Sequence, residues 1–235
     1  MGPARRLPCV SILFVTSFLV WPLAAQADIT FKDYTPSRPL VLDQNTDYTL
    51  TNVNITSVHD AAALTLTGKI NSVTINKSSF GNVRSGDTGK AAALDCAGAT
   101  VGALIANDTS FFDAENQLAS LREGSFGLVT FRNCSFKTSP NFLKEMYSAA
   151  PWRTWPPVTE FYNIDRLELF DNTFANTIVV IHPSVKKVVI RGEVPGLQID
   201  DKSATQVIRL PAITDPDQGN GAIAMVTAMW HAIWQ

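Results

Sequence analysis

Cysteine, histidine and charge are all scarce in this chain of 235 residues. It holds three cysteines and three histidines, and only 17% of its residues are charged. So few cysteines make no disulfide scaffold, and no CxxC or paired Cys/His spacing offers a structural metal site. His59, His182 and His231 are dispersed and sit near no serine or cysteine elbow, so a Ser/His/Asp hydrolase has no support. Clustered cations are missing as well: the formal charge is −2, which argues against a nucleic-acid partner. There are no long amphipathic helical patterns between strand patterns, which excludes a doubly wound α/β fold. Tight Asn-Gly or Asp-Gly turns between neighbouring strand patterns are also lacking, which argues against antiparallel hairpins in a sandwich or barrel. What is present in quantity is apolar residue, 46% of the chain, enough for a real core.

The first 27 residues have the layout of a secretory signal peptide. Arg5 and Arg6 form a positive start, Val10 to Leu23 an apolar run, and Ala25-Gln26-Ala27 a small-x-small cleavage site before Asp28. The apolar run is shorter than the roughly 20 residues that span a bilayer, so stable membrane insertion after cleavage is not expected. A secreted or periplasmic location follows. Cys9 leaves with this segment; Cys96 and Cys134 remain, as two buried thiols or as one disulfide.

The remainder carries an internal repeat. Four segments end in a hydroxyl residue followed by phenylalanine: Val73–Phe80, Leu104–Phe111, Val129–Phe136 and Leu167–Phe174. A degenerate fifth copy is Val188–Val194. Seven and five residues before each Phe the chain is apolar (Val73/Ile75, Leu104/Ala106, Val129/Phe131, Leu167/Leu169), the period of two expected of a strand with one buried face. A polar corner rich in Asn, Asp, Ser and Thr then leads to the Phe, as turn chemistry requires. A second apolar segment precedes the first two copies, at Ala62-Leu64-Leu66 and Ala93-Leu94-Cys96. Strand-rich units of this length stack as coils. The expected fold is all-β: a single-domain right-handed parallel β-helix over residues 28–212, with loop insertions at 81–91 and 137–157. Residues 213–235 read as a linker and a C-terminal helix, rich in Ala and Met, that caps the solenoid or serves self-association.

The pattern apolar-x-apolar, three polar residues, Ser/Thr, Phe is similar to the coils of the right-handed parallel β-helix superfamily, which includes pectate lyases, polygalacturonases and alginate epimerases. The resemblance covers roughly residues 40–210 and implies architecture. Family signatures of activity are missing: neither the Trp-Ile-Asp-His and Arg-x-Pro-x-x-Arg segments of pectate lyases nor the Asp-Pro-His-Asp element of alginate epimerases occurs. Asn45-Thr46-Asp47 matches a polygalacturonase tripeptide, but it precedes the first clear coil and lacks the paired aspartates that inverting hydrolysis uses.

Aligning the copies on Phe shows which side chains share the outer face. Four residues before it stand Asn76, Asn107, Arg132, Phe170 and Arg191; six before it stand Thr74, Ile105, Thr130, Glu168 and Val189. Arg132, Glu168, Phe170 and Arg191 are therefore carbohydrate-binding candidates, because guanidinium pairs with sugar carboxylates and a ring face stacks on pyranose C–H groups. A solvated face with a cross-coil Arg132–Glu168 pair is the plainer alternative. The insertion adds Trp152, Arg153 and Trp155, held among prolines after a helical stretch, Asn141–Tyr147, as a possible aromatic platform. Asp108, Asn133 and Asp171 share a turn column that suits corner hydrogen bonds better than Ca²⁺; no cofactor is expected. The functional expectation is an exported β-helix associated with an extracellular or cell-envelope polysaccharide, without catalysis. A lyase or epimerase acting on an acidic glycan is the alternative, and a structural or adhesive surface protein is the third.

Overall fold

The computed structural model describes residues 28–36, 38–85, 91–200 and 205–211. The signal-peptide and C-terminal helix expectations fall outside these residues. The described chain is all-β apart from one helix, and its strands form two curled sheets in which every described pair is parallel. This arrangement is compatible with a solenoid or β-helix-like architecture.

The elements follow one another in a recurring order. After β1 (Ile29–Lys32) come β2 (Leu40–Leu42), β3 (Asp47–Thr51) and β4 (Asn54–His59). The next passes are β5 (Leu64–Asn76) with β6 (Ser79–Arg84), then β7 (Ala92–Asn107) with β8 (Ser110–Ala114). They are followed by β9 (Gln117–Ser120), β10 (Ser125–Arg132) and β11 (Ser135–Lys137), and by helix α1 (Pro140–Ala149). The chain closes with β12 (Val158–Phe161), β13 (Ile164–Phe170), β14 (Thr173–Ala175), β15 (Ile178–Ile181), β16 (Lys187–Arg191), β17 (Leu197–Ile199) and β18 (Gln206–Leu210).

Pairing sorts these strands into three columns. β2, the first half of β5, the first half of β7, β9, β12, β15 and β17 form one. The second column is β1, β3, the second halves of β5 and β7, β10, β13, β16 and β18, and it shares a sheet with the first. The third is the separate sheet β4, β6, β8, β11, β14. The two apolar segments expected before the first copies are thus not separate strands; they are the opening halves of β5 and β7. β6 runs on to Arg84, into the stretch expected as an insertion at 81–91, of which residues 86–90 lie outside the described residues.

The aligned phenylalanines are the spine of the core. Phe80, Phe111, Phe136 and Phe174 are partners in register and face inward. Consecutive rings stack, with centroids 5.8, 5.0 and 5.0 Å apart. The degenerate copy lacks a Phe for a visible reason: no strand of the second sheet follows β16 among the described residues.

The corner before these rings explains the polar residues there. Asp33, Asn52, Lys77, Asp108, Asn133, Asp171 and Gly192 all have positive φ, between 48° and 90°. Left-handed backbone favours Gly, Asn and Asp, which five of the six side-chain-bearing positions respect. The N–H of each side-chain-bearing corner donates to the carbonyl one coil on, as in Asp108 to Arg132, Asn133 to Phe170 and Asp171 to Arg191. One residue later, side chains such as Ser78 and Asn172 are buried and accept from backbone N–H groups of the neighbouring coil. Ser78 Oγ accepts from Val53 N at 3.0 Å, and Asn172 Oδ1 accepts from Cys134 N at 2.8 Å. Cys96 and Cys134 are both buried free thiols, so no disulfide joins them.

Candidate functional site

The outer column inferred from the sequence is present in the pairing. Asn76, Asn107, Arg132, Phe170 and Arg191 are consecutive register partners, as are Thr74, Ile105, Thr130, Glu168 and Val189. A parallel sheet without slippage over β10, β13 and β16 produces this, because every strand there repeats the same inward apolar pair. Arg132 and Arg191 therefore bracket Phe170 from the two neighbouring coils. Their guanidinium carbons lie 5.5 and 5.2 Å from the ring centroid, within cation–π range.

This geometry revises the part assigned to Phe170. Both ring faces carry a guanidinium, so the ring offers a ligand its edge while the arginines offer charge. Glu168 also has a different partner from the one its column suggested. Arg132 and Glu168 stand diagonally, since Arg132 pairs in register with Phe170 and Thr130 with Glu168. The carboxylate instead takes Arg166, two residues earlier on the same strand face, with Nε and Nη2 both 2.7 Å from Oε1. Its Oε2 accepts from Thr130 Oγ1 at 3.0 Å. Arg191 is held by Asp171 through Nε, at 2.8 Å to Oδ2, and through Nη2. Arg132 is exposed and forms no ion pair among the described residues.

The tryptophan segment lies elsewhere. Helix α1 starts after Ser139, whose Oγ accepts from Phe142 N at 3.3 Å, with Pro140 in the first turn where a missing N–H costs nothing. It lies against the far end of the second sheet: Arg84 of β6 reaches Glu145 at 2.6 Å and sits 3.9 Å over the Phe142 ring. The chain then turns outward. Trp152 is 74% and Trp155 48% exposed, while Arg153 points back to Asn116, with Nη2 2.6 Å from Oδ1. The seven candidates thus form two groups: Arg132, Glu168, Phe170 and Arg191 at the corner entering the second sheet, and Trp152, Arg153 and Trp155 at the corner leaving it.

A second polar column escaped sequence reading. At the end of the first column of strands, Tyr162 stacks on His182 with centroids 4.4 Å apart, and Arg122 lies 6.0 Å from the Tyr162 ring. His182 Nδ1 lies 3.0 Å from Ser184 Oγ and 3.3 Å from Ser184 N, which fixes the ring's orientation. Burial pushes the Tyr162 phenol up, Glu160 and Asp200 add to this, and Arg122 opposes it. These residues fall between the Phe-aligned copies, so the repeat gave no register for them. A signal existed in the apolar alternation of β12 and β15, which is short but in phase.

Among the described residues no group of three or more His, Cys, Asp or Glu could hold a metal ion. Asp108, Asn133 and Asp171 act at the corner, where Asn133 Nδ2 donates to Asp108 Oδ1 at 2.6 Å. No helix among the described residues is long and apolar enough to cross a membrane. Comparison with protein-family models, with curated proteins and with solved structures finds no match to this chain.

Proposed function

We propose that this chain is an exported right-handed parallel β-helix that holds an acidic polysaccharide of the cell envelope or surroundings without altering it. The handedness rests on the general right-handed preference of crossovers between parallel strands. The observation that carries the binding reading is Arg132: an exposed guanidinium over one side of Phe170, with no carboxylate partner among the described residues, and a second arginine, Arg191, on the ring's other side. Guanidinium recognises carboxylate through paired, charge-assisted hydrogen bonds. A polymer bearing one carboxylate per sugar could meet Arg132 and, by displacing Asp171, Arg191.

Binding without turnover is supported by the state of the nearby acids. Glu168 is held by Arg166 and Thr130, and Asp171 by Arg191, so each carboxylate has a structural partner in place of a substrate. Trp152 and Trp155 offer a second contact on the neighbouring corner. The test is retention of the purified protein in gels containing polygalacturonate or alginate, with absorbance followed for unsaturated sugars. Retention that falls about tenfold in Arg132→Ala, with no new absorbance, supports the proposal. Absence of retention on every acidic glycan removes it, and a rise in absorbance replaces it with a lyase.

A further inference from the structure

Four Asn-x-Ser/Thr sequences, the acceptor motif for N-glycosylation, stand in the chain at Asn54, Asn76, Asn107 and Asn133. Three of them belong to the corners. Ser78 Oγ donates to the Asn76 carbonyl at 2.8 Å and Thr109 Oγ1 to the Asn107 carbonyl at 2.9 Å, and both hydroxyl residues are buried. The amides there are engaged too: Asn107 Nδ2 donates to Asn76 Oδ1 at 3.0 Å, and Asn133 Nδ2 to Asp108 Oδ1 at 2.6 Å. Corner packing accounts for these three motifs without any modification.

Asn54 is different. It opens β4, the edge strand of the second sheet. Its register partners on the four following coils are Ser79, Ser110, Ser135 and Thr173, a hydroxyl in every case, so the edge coil alone carries an amide at this position. Asn54 is exposed; its Oδ1 accepts from Ser79 Oγ at 2.6 Å, while its Nδ2 has no partner among the described residues. Thr56, two residues on, is half-buried, and its hydroxyl has no partner among the described residues. Beyond β4 the second sheet has no further strand among those residues, and an open edge is a template for pairing with another chain unless something covers it. We propose that Asn54 is an N-glycosylation site whose glycan covers this edge. The inference rests on export of the chain, because the modification is made in the secretory pathway. In the transfer, Nδ2 bonds to C1 of the first sugar of a lipid-diphosphate-linked oligosaccharide, the bond from C1 to the diphosphate breaks, and the lipid diphosphate leaves as Nδ2 gives up one proton. Oδ1 keeps its bond to Ser79, so the fold loses no contact to the modification.

The experiment expresses the full chain with its own leader in an animal cell line. The product is treated with peptide-N-glycosidase in heavy-oxygen water, which turns each glycosylated Asn into a labelled Asp, and is mapped by peptide mass spectrometry. Label at position 54 is expected. Loss of one glycan's mass is expected in Asn54→Gln, and equally in Thr56→Ala, which removes the hydroxyl of the motif and leaves the amide in place. Neither variant touches a buried side chain, and the two guard against misfolding of either one. The same map reads the N-terminus. A chain that begins at Asp28 and carries no label at position 54, whatever the other three positions show, overturns the proposal and leaves export standing. A chain that keeps residues 1–27 overturns export and this site with it. A glycan mass unchanged in Asn54→Gln overturns the site as well.

Discussion

The inner and outer faces of β10 and β13 share one register yet obey different rules. Inside, Val129 and Phe131 of β10 lie beside Leu167 and Leu169 of β13, all apolar and buried, and past the corner Phe111, Phe136 and Phe174 of the second sheet stack ring on ring. Outside, the same coils present Asn107, Arg132, Phe170 and Arg191, which have little in common but their position. The inner column is constrained by packing, because a change of one methylene there leaves a void or a clash. The outer column meets water and is free to carry recognition. One register therefore gives a rigid stack and, on its back, a ladder of side chains at fixed spacing.

The largest expected effect lies on the inner side. Phe111→Ala removes a ring stacked between two others and should lower unfolding free energy by about 3–5 kcal/mol in chemical denaturation. A loss below about 1 kcal/mol would show that the stack is dispensable and that the comparison fails. The buried thiols come next. Burial pushes both Cys96 and Cys134 up to about 11, from an ordinary value of 9.0. Below pH 9 both states keep the proton and the stability is intact. As pH rises from 9 to 11 the unfolded chain ionises first, so stability should fall by about 3 kcal/mol per thiol. Melting curves of the native chain and a Cys96→Ala, Cys134→Ala variant across that window isolate this loss; parallel curves would contradict it.

Smaller effects probe the corner and the surface. Lys77 is the one corner residue of its column that is neither Asn, Asp nor Gly, and it holds φ 48°. Lys77→Asn should stabilise by about 1 kcal/mol, since left-handed backbone costs most side chains that order of energy; a destabilised variant would mean that its side chain matters more than its backbone. Arg132→Ala closes the series. It is exposed, has no ion pair among the described residues and loses only its contact with the Phe170 ring, so a change within about 1 kcal/mol in unfolding free energy is expected alongside the loss of acidic-glycan retention. A strong destabilisation would place Arg132 with the inner, structural set.

Much of the fold was legible because its signal is repeated. Each copy independently places Val73/Ile75 or Leu104/Ala106 inward, and four copies aligned on one Phe set the register of both faces. The outer column followed directly, since in a strand inward and outward positions alternate. The partners within that column did not follow. Glu168 had Arg132 within reach on the diagonal and Arg166 within reach along its own strand, and rotamers chose the latter. Nor did the column of Tyr162 and His182 appear, because the strands that carry it are short and lie between the motifs. The kinks at Gly68 and Gly98 that merge two strands into one also carry no period of their own.

The amino-acid sequence alone settled the all-β class, the repeat aligned on phenylalanine, the polar corners and the set of side chains that share the outer face. These depend on local alternation and turn chemistry, which every copy states again. Tertiary structure decided which arginine holds which carboxylate, that Phe170 is bracketed rather than bare, and that the tryptophans stand at a different corner from the arginines. It also decided that Gly102 and Gly127 stand where a side chain would meet the backbone of the neighbouring coil. Those outcomes depend on distances between coils, where contacts a few ångströms apart compete and only the packed chain selects among them.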